Sequence, residues 1–374
     1  MKNNPRVDIY LDKIVNNTKE IIKKCAKKEI EVIGITKGCS ADVRVAKAMI
    51  KGGIKTLGDS RIENIKKLKE SGIKSKMMLI RIPMPSEIKQ LIEYVDISIN
   101  SELSTLKIIS NLAQKTGIEH EIILMIDMGD LREGIMPEET VNTVRKIKQL
   151  PHIKLMGIGA NFCCVSGVMP TMENLGKLVM LAKEIEEKEK IHIEIISGGS
   201  TSVLKLIEDD KIPQNINQLR IGVGILLGQD DVRLRNLKGT YQDTFILTAE
   251  IVELKLKPSL PIGTIGRDAF GQIPVFKDLG LRKRAILAIG KQDIHLNSLI
   301  PLKKGIEIIA ASSDHLLVDV TDFNGNIKIG DEIKFKLNYP ALLAATTSKY
   351  VKRYYHREEK NNDDKHEREK SSIN

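Results

Sequence analysis

The residues best equipped for chemistry stand where short apolar runs end. Lys37 closes the run Ile33-Gly-Ile-Thr36, where an ammonium would be partly stripped of water. Burial lowers a lysine pKa and frees the neutral amine as a Schiff-base nucleophile; the other reading is a lysine snorkelling from a strand end. Ser197-Gly-Gly-Ser-Thr201 places two glycines and hydroxyls between an apolar run and a helical segment. Free N–H groups, the helix dipole and the Ser200 and Thr201 hydroxyls there could seat a phosphate, or the same residues could cap a plain turn. Arg220-Ile-Gly-Val-Gly224 offers a second close backbone approach through Gly222 and Val223, and favours the phosphate reading. Asp59, Arg61, Asn64, Arg81, Asn100–Glu102, Arg132 and Asn161 end the other runs.

Rival motifs fail. Gly222-x-Gly-x-x-x-Gly228 misplaces the third glycine of a dinucleotide fingerprint, and neither a Gly-Lys-Ser/Thr loop nor His-Glu-x-x-His occurs. Seven histidines and the adjacent Cys163–Cys164 lack metal-ligand spacing, so no metal is expected. Cys39, near Lys37, reads as a packing cysteine.

The elements that must position these groups alternate. Buried strands are expected at Glu31–Thr36, Lys55–Gly58, Met77–Ile82, Ile97–Asn100, Glu121–Asp127, Lys154–Gly159, His192–Ser197 and Leu219–Gly224. Helical patterns separate them, for example over Ser101–Thr116 and Met172–Lys190. Eight such βα units predict an α/β fold of the (β/α)8 TIM-barrel type, with an open doubly wound sheet as its competitor. Beyond residue 236, β-rich runs divided by Gly, Pro and Asn turns predict a mostly antiparallel β domain. The expected division is a barrel over 1–235, with residues 1–11 able to pair with the second unit, a β domain over 236–355, and a charged, disordered tail over 356–374.

Composition sets the outer limits. At 374 residues the chain exceeds what one core holds, and 41% hydrophobic with 29% charged residues describes a soluble globular protein. The net charge of +10 is scattered along helical segments with no Trp, which argues against a nucleic-acid surface. No apolar run is long enough for a membrane span, and no secretory core follows Met1, so a cytoplasmic enzyme is expected.

With Lys37, Arg132, Ser200/Thr201 and Arg220 in this order, the chain resembles the alanine racemase family, most of all its ornithine racemase branch. The likeness runs in consistent order over about residues 5–355. It is carried by Gly58-Asp-Ser-Arg-Ile-Glu-Asn64, Leu79-Ile-Arg-Ile-Pro-Met-Pro-Ser86, Gly129-Asp-Leu-Arg-Glu-Gly134, Leu219-Arg-Ile-Gly222, Gly239-Thr-Tyr-Gln-Asp243 and Arg282-Lys-Arg-Ala-Ile-Leu-Ala-Ile-Gly-Lys-Gln-Asp293. The resemblance implies a pyridoxal 5'-phosphate enzyme, a barrel followed by a β domain, and a homodimer with shared active sites. It implies that Lys37 carries the cofactor, that Arg220 faces its ring nitrogen, and that Ser200, Thr201, Gly222 and Val223 hold its phosphate. Arg132 then lies near the substrate carboxylate, and Ser313 and Asp314 on a loop reaching the neighbouring subunit's site. An arginine at the ring nitrogen keeps that nitrogen unprotonated, a weaker electron sink that favours return of a proton to Cα over transamination.

Two tyrosines of the family pattern are missing. Lys291 stands where a cross-subunit tyrosine is expected, and Ala41 where one follows the cofactor lysine. Val165-Ser-Gly-Val168 also departs from the Tyr-Gly of the nearest branch. Lys291 is therefore the candidate second acid/base, against a plain surface lysine. Ornithine's second ammonium requires an acceptor, for which Asp314 comes first and Asp293 second. Other readings are a racemase of alanine or another amino acid, and a related decarboxylase, which would need a cysteine in the β domain although all four cysteines precede residue 165. A non-catalytic pyridoxal-phosphate carrier would lack the β domain.

Overall fold

The computed structural model describes residues 3–357. Strand β1 (Arg6–Tyr10) runs into α1 (Leu11–Ala26), and βα units follow. These are β2 (Glu31–Ile35), α2 (Val43–Lys51), β3 (Thr56–Asp59), α3 (Ile62–Glu70), β4 (Lys76–Leu79), α4 (Ile88–Tyr94), β5 (Ile97–Asn100) and α5 (Leu103–Thr116). They continue through β6 (His120–Met125), α6 (Thr140–Ile147), β7 (Ile153–Gly159), α7 (Met172–Glu189), β8 (Ile195–Ser197), α8 (Leu204–Glu208), β9 (Gln218–Ile221) and α9 (Val223–Leu226). Strands β2 to β9 form a closed barrel, parallel throughout, with β9 pairing back onto β2.

Alternation within the strands explains the closure. Ile33, Ile35, Met78, Ile97, Ile99, Ile123, Met125 and Met156 fill the barrel interior, while their neighbours Val32, Met77, Leu79, Ile122 and Leu124 pack into the larger core. Successive strand side chains point to opposite faces, so one apolar run serves two cores and reads as continuously hydrophobic.

The chain then forms a two-strand ribbon, β10 (Gln229–Asp230) and β11 (Arg235–Asn236), and a second sheet. Its strands are β12 (Phe245–Pro258), β13 (Leu281–Leu287), β14 (Leu299–Pro301), β15 (Glu307–Ala311), β16 (Leu316–Asp319) and β17 (Glu332–Leu337), and beyond helix α10 (Tyr339–Thr347) comes β18 (Lys352–His356). The sheet runs β14-β17-β12-β13-β16-β15, antiparallel at each step, and β1 joins it between β12 and β18.

Three local features differ from the sequence expectation. Val223 and Gly224, read as the end of the strand Leu219–Gly224, instead begin the short helix Val223–Leu226 after Gly222, which aims first-turn N–H groups at the barrel mouth. Helix α10 begins at Tyr339-Pro340 inside the stretch read as β-rich; proline suits a first helical turn. His356 ends β18, with its ring stacked on Tyr10 at 4.7 Å and Nε2 2.8 Å from Asp8 Oδ1, so residue 356 belongs to the sheet and not to the expected tail; residues 358–374 lie outside the described residues.

Candidate active site

A cavity of about 320 Å³ opens at the C-terminal ends of the barrel strands, at the lower end of the ~300–1,000 Å³ usual for small-molecule sites. Lys37, Arg132, Ser200, Thr201, Arg220, Gly222 and Val223, all picked out in the sequence, line it together.

Lys37 sits two residues past β2, on a 3-10 turn over Lys37–Cys39. Thr36 fixes the approach: its hydroxyl donates to Asp59 Oδ2 at 2.7 Å. Asp59 is fully buried and also accepts from the Arg61 N–H and from Asn64 Nδ2. From the far end of the chain, α10 closes on the same turn, Thr346 Oγ1 donating to the Gly38 carbonyl at 3.0 Å. Burial pulls the Lys37 pKa below its ordinary value; the Cys164 thiol opposes this and the Arg132 charge adds to it. Among the described residues nothing accepts a hydrogen bond from its amine. Cys39 is packed inside, its thiol pushed up to about 12 by burial.

The 3-10 turn Thr201–Val203 and helix α9 both begin at the cavity, α9 following β9, the barrel neighbour of β2. Thr201 Oγ1 accepts from the Gly224 N–H at 3.2 Å and ties the two loops together. Their first-turn N–H groups have no partner within their own helices. Arg220 is buried at the end of β9, where its guanidinium donates to Ser197 Oγ, to the Ala160 carbonyl at 2.7 Å and to Asn161 Oδ1 at 2.7 Å. Burial pulls its pKa down to about 10, so it stays cationic at neutral pH.

Other groups in the cavity were not singled out in the sequence. Tyr339 lines it from α10, its phenol pushed up to about 12 by burial. The Asn338-Tyr-Pro340 step, a helix start after the last strand of a hairpin series, was the signal for it. Asp231 and Cys164 line the cavity too, and Glu133 braces Arg132 from beside it. Asp130 accepts from the N–H groups of Cys164, Val165 and Ser166, which ties the loop after β6 to the loop after β7.

Lys291, Ser313 and Asp314 are not in this cavity; they cluster at the tip of the second sheet. The Gly290 Cα lies so near Ser313 that a Cβ would meet its carbonyl oxygen at 2.2 Å. The Lys291 N–H donates to the Ser312 carbonyl at 2.9 Å, and Gln292 Nε2 to Asp314 Oδ1 at 2.8 Å. Lys291 Nζ rests 3.7 Å over the Phe270 ring and 3.8 Å from Asp268 Oδ2. Asp293 is apart from them, 7% exposed, with its carboxylate accepting from Ser348 Oγ at 2.5 Å. Arg81 spends its guanidinium on Glu87 and the Ser60 carbonyl, and Asn100 its amide on Ser98.

The donor set fits a phosphorylated carbonyl compound: one cavity holds an amine without an acceptor, hydroxyl and backbone N–H donors, and a buried guanidinium. Comparison with known proteins gives the family. Residues 9–230 match the model of the alanine racemase N-terminal domain. A lysine racemase of Thermotoga maritima is 42% identical over 93% of this chain and 97% of its own length. An ornithine racemase of Acetoanaerobium sticklandii is 42% identical over 93% and 98%. The solved alanine racemase of Clostridium difficile 630 superposes with a TM-score of 0.71 at 20% identity, covering 96% of this chain and 97% of that one, which speaks to the fold alone. By the matched residues 9–230 and by relatives 42% identical along nearly its whole length, the chain belongs to the alanine racemase family, a family of amino-acid racemases.

Proposed function

We propose that this racemase interconverts the enantiomers of a diamino acid, ornithine in the first place, with pyridoxal 5'-phosphate as cofactor, in a cytoplasmic homodimer. The observation that carries the reading is the cavity itself, in which a desolvated Lys37 without an acceptor faces hydroxyl and N–H donors around a buried Arg220. The names of the two relatives at 42% identity supply the substrate class.

In this reading the Lys37 amine attaches the cofactor. Ser200, Thr201 and the N–H groups of Gly222 and Val223 hold its phosphate, with the neutral Tyr339 phenol as a further donor. Three of the bonds Arg220 can donate go to Ser197, Ala160 and Asn161, which leaves donors for the ring nitrogen. When bound, the cofactor supplies a conjugated ring that withdraws electrons from Cα and weakens its C–H bond. Arg132 binds the substrate carboxylate. Lys37 moves the proton on one face of Cα; its burial favours the neutral amine that a base requires.

The other face needs a group that one chain's cavity lacks in the family pattern, and we assign it to Lys291 from a second subunit. Asp314, exposed beside it and bonded only to the neutral Gln292 and Ser313 side chains among the described residues, is the acceptor for the substrate's second ammonium. Asp293, tied to Ser348, serves the fold. Exposed apolar side chains in the loop between β12 and β13, with Ile262 and Val275 each 94% exposed, support a covering subunit. Four free cysteines agree with a reducing compartment.

The test is chiral analysis after separate incubation with L-ornithine, L-lysine and L-alanine. The expected result is a racemic product from a diamino acid, with kcat/KM at least about 30-fold above that for alanine, the size of a charge-assisted hydrogen bond. A preference for alanine would overturn the substrate class, and no racemisation of any amino acid would overturn the reading.

A further inference from the structure

Two guanidinium groups line the cavity, and one carboxylate stands between them. Glu133 takes Arg132 through both oxygens, with Arg132 Nη2 2.5 Å from Oε1 and Nε on Oε2. The same Oε1 accepts from Asn161 Nδ2. Asn161 Oδ1 in turn accepts from Arg220 Nη2 at 2.7 Å. We propose that Glu133 is a positioning residue that locks Arg132 and Arg220 into one unit through the Asn161 amide. The inference rests on the function proposed above, because it concerns what those two arginines hold.

The chain of bonds has a direction set by chemistry. Arginine can only donate, so each guanidinium needs an acceptor facing it. Asn161 meets Arg220 with its carbonyl only because its NH2 is drawn to the Glu133 carboxylate. A flipped amide would set two donors against each other at Arg220 and two acceptors against each other at Glu133. Loss of the Glu133 charge therefore frees Arg132 directly and removes the reason for the Asn161 orientation, so Arg220 loses an acceptor 2.7 Å away. The arrangement also sets one negative charge among the three basic groups, Lys37, Arg132 and Arg220, that share the cavity. The fields of Arg132 and Glu133 reach both Lys37 and Arg220, so a change at Glu133 reaches every basic group in the site.

The test compares Glu133→Gln, Glu133→Asp, Asn161→Ala and the double variant E133Q/N161A. Pyridoxal 5'-phosphate binding, followed by absorbance without substrate, should weaken by about tenfold in E133Q, with a shifted absorption band. KM for ornithine should rise more than kcat falls, since Arg132 loses its bonded partner outright whereas Lys37 feels Glu133 only through its field. E133D, which keeps the charge, should recover part of both losses. The double variant should cost no more than E133Q alone, because the two residues act as one link. Unchanged cofactor affinity in E133Q, or strictly additive losses in the double variant, would overturn the proposal. The same cycle read as urea unfolding midpoints of the ligand-free chain needs neither cofactor nor substrate. Coupling there supports the link even if the wild-type chain fails to racemise, which would sink the functional reading alone; additivity there overturns the link.

Discussion

Lys37 gathers the residue-scale consequences. It is desolvated in the folded chain, and its pKa lies below the ordinary lysine value for that reason first. The neutral, proton-accepting form is thus reached at lower pH than for a free lysine. In the substrate complex, where Lys37 is free to act as the base, the alkaline-rising limb of the pH profile of kcat should have a midpoint below that of free lysine, and a midpoint at the free-lysine value would contradict the burial argument. Lys37→Arg should lower kcat by at least about a thousandfold, the upper range for loss of a positioned acid/base or nucleophile. Borohydride treatment of the loaded wild-type chain should leave the cofactor's mass on the Lys37 peptide and on no other. Much of this was legible in the sequence, because strand ends are marked by apolar runs that stop at a charged residue. Glu133 was not, since its meaning comes from Asn161 28 residues away, and Tyr339 lies still further off, brought to Lys37 only by the return of α10.

Elements set the limits on these side chains. The barrel strands were readable from the sequence because β branching and apolar character persist on both faces, whereas the turn of residues 223–226 into α9 was hidden behind an unbroken apolar string. Close strand approach leaves one strict requirement at β7. A Cβ on Gly157 would lie 1.9 Å from the Ile195 carbonyl oxygen of β8, so the barrel has no room for it. Gly157→Ala should cost roughly 2–4 kcal/mol of unfolding free energy by overpacking against fixed backbone; an unchanged urea midpoint would show that the strands can part. His120 opens β6, 1% exposed, with Nε2 2.8 Å from Ser98 Oγ on β5. Ser98 Oγ already accepts from Asn100 Nδ2, so its proton is free for the imidazole, which favours the neutral ring. Burial lowers the His120 pKa from 6.5 to about 4. Between those values the unfolded chain binds the extra proton, so stability is lost as pH falls through that window, by at most about 3 kcal/mol. His120→Gln should flatten this part of the stability profile; an equally steep slope in the variant would place the acid sensitivity elsewhere.

Over the whole molecule, the barrel supplies the cavity and the second sheet supplies a cluster that its own cavity does not use. Lys291, Ser313 and Asp314 sit together on that sheet, and their grouping was visible only as two separated loops in the sequence. The proposed dimer with shared sites makes a quantitative expectation. Lys37→Ala and Lys291→Ala dimers, each inactive, should regain about one quarter of wild-type activity once their subunits are mixed and exchanged, because half the dimers are mixed and each mixed dimer holds one intact site. Exchange without recovery would place both lysines in the same subunit's site or remove Lys291 from the chemistry.

The central claim is that this cavity takes a proton from Cα of a diamino acid and returns one to either face. Proton NMR of L-ornithine in deuterated water, with the pyridoxal-phosphate-loaded enzyme, tests it most directly. The Cα–H signal should disappear as the solution approaches equal amounts of the two enantiomers, and Lys37→Ala should abolish both changes. Ornithine that keeps its Cα proton and its handedness under the same conditions would contradict the account.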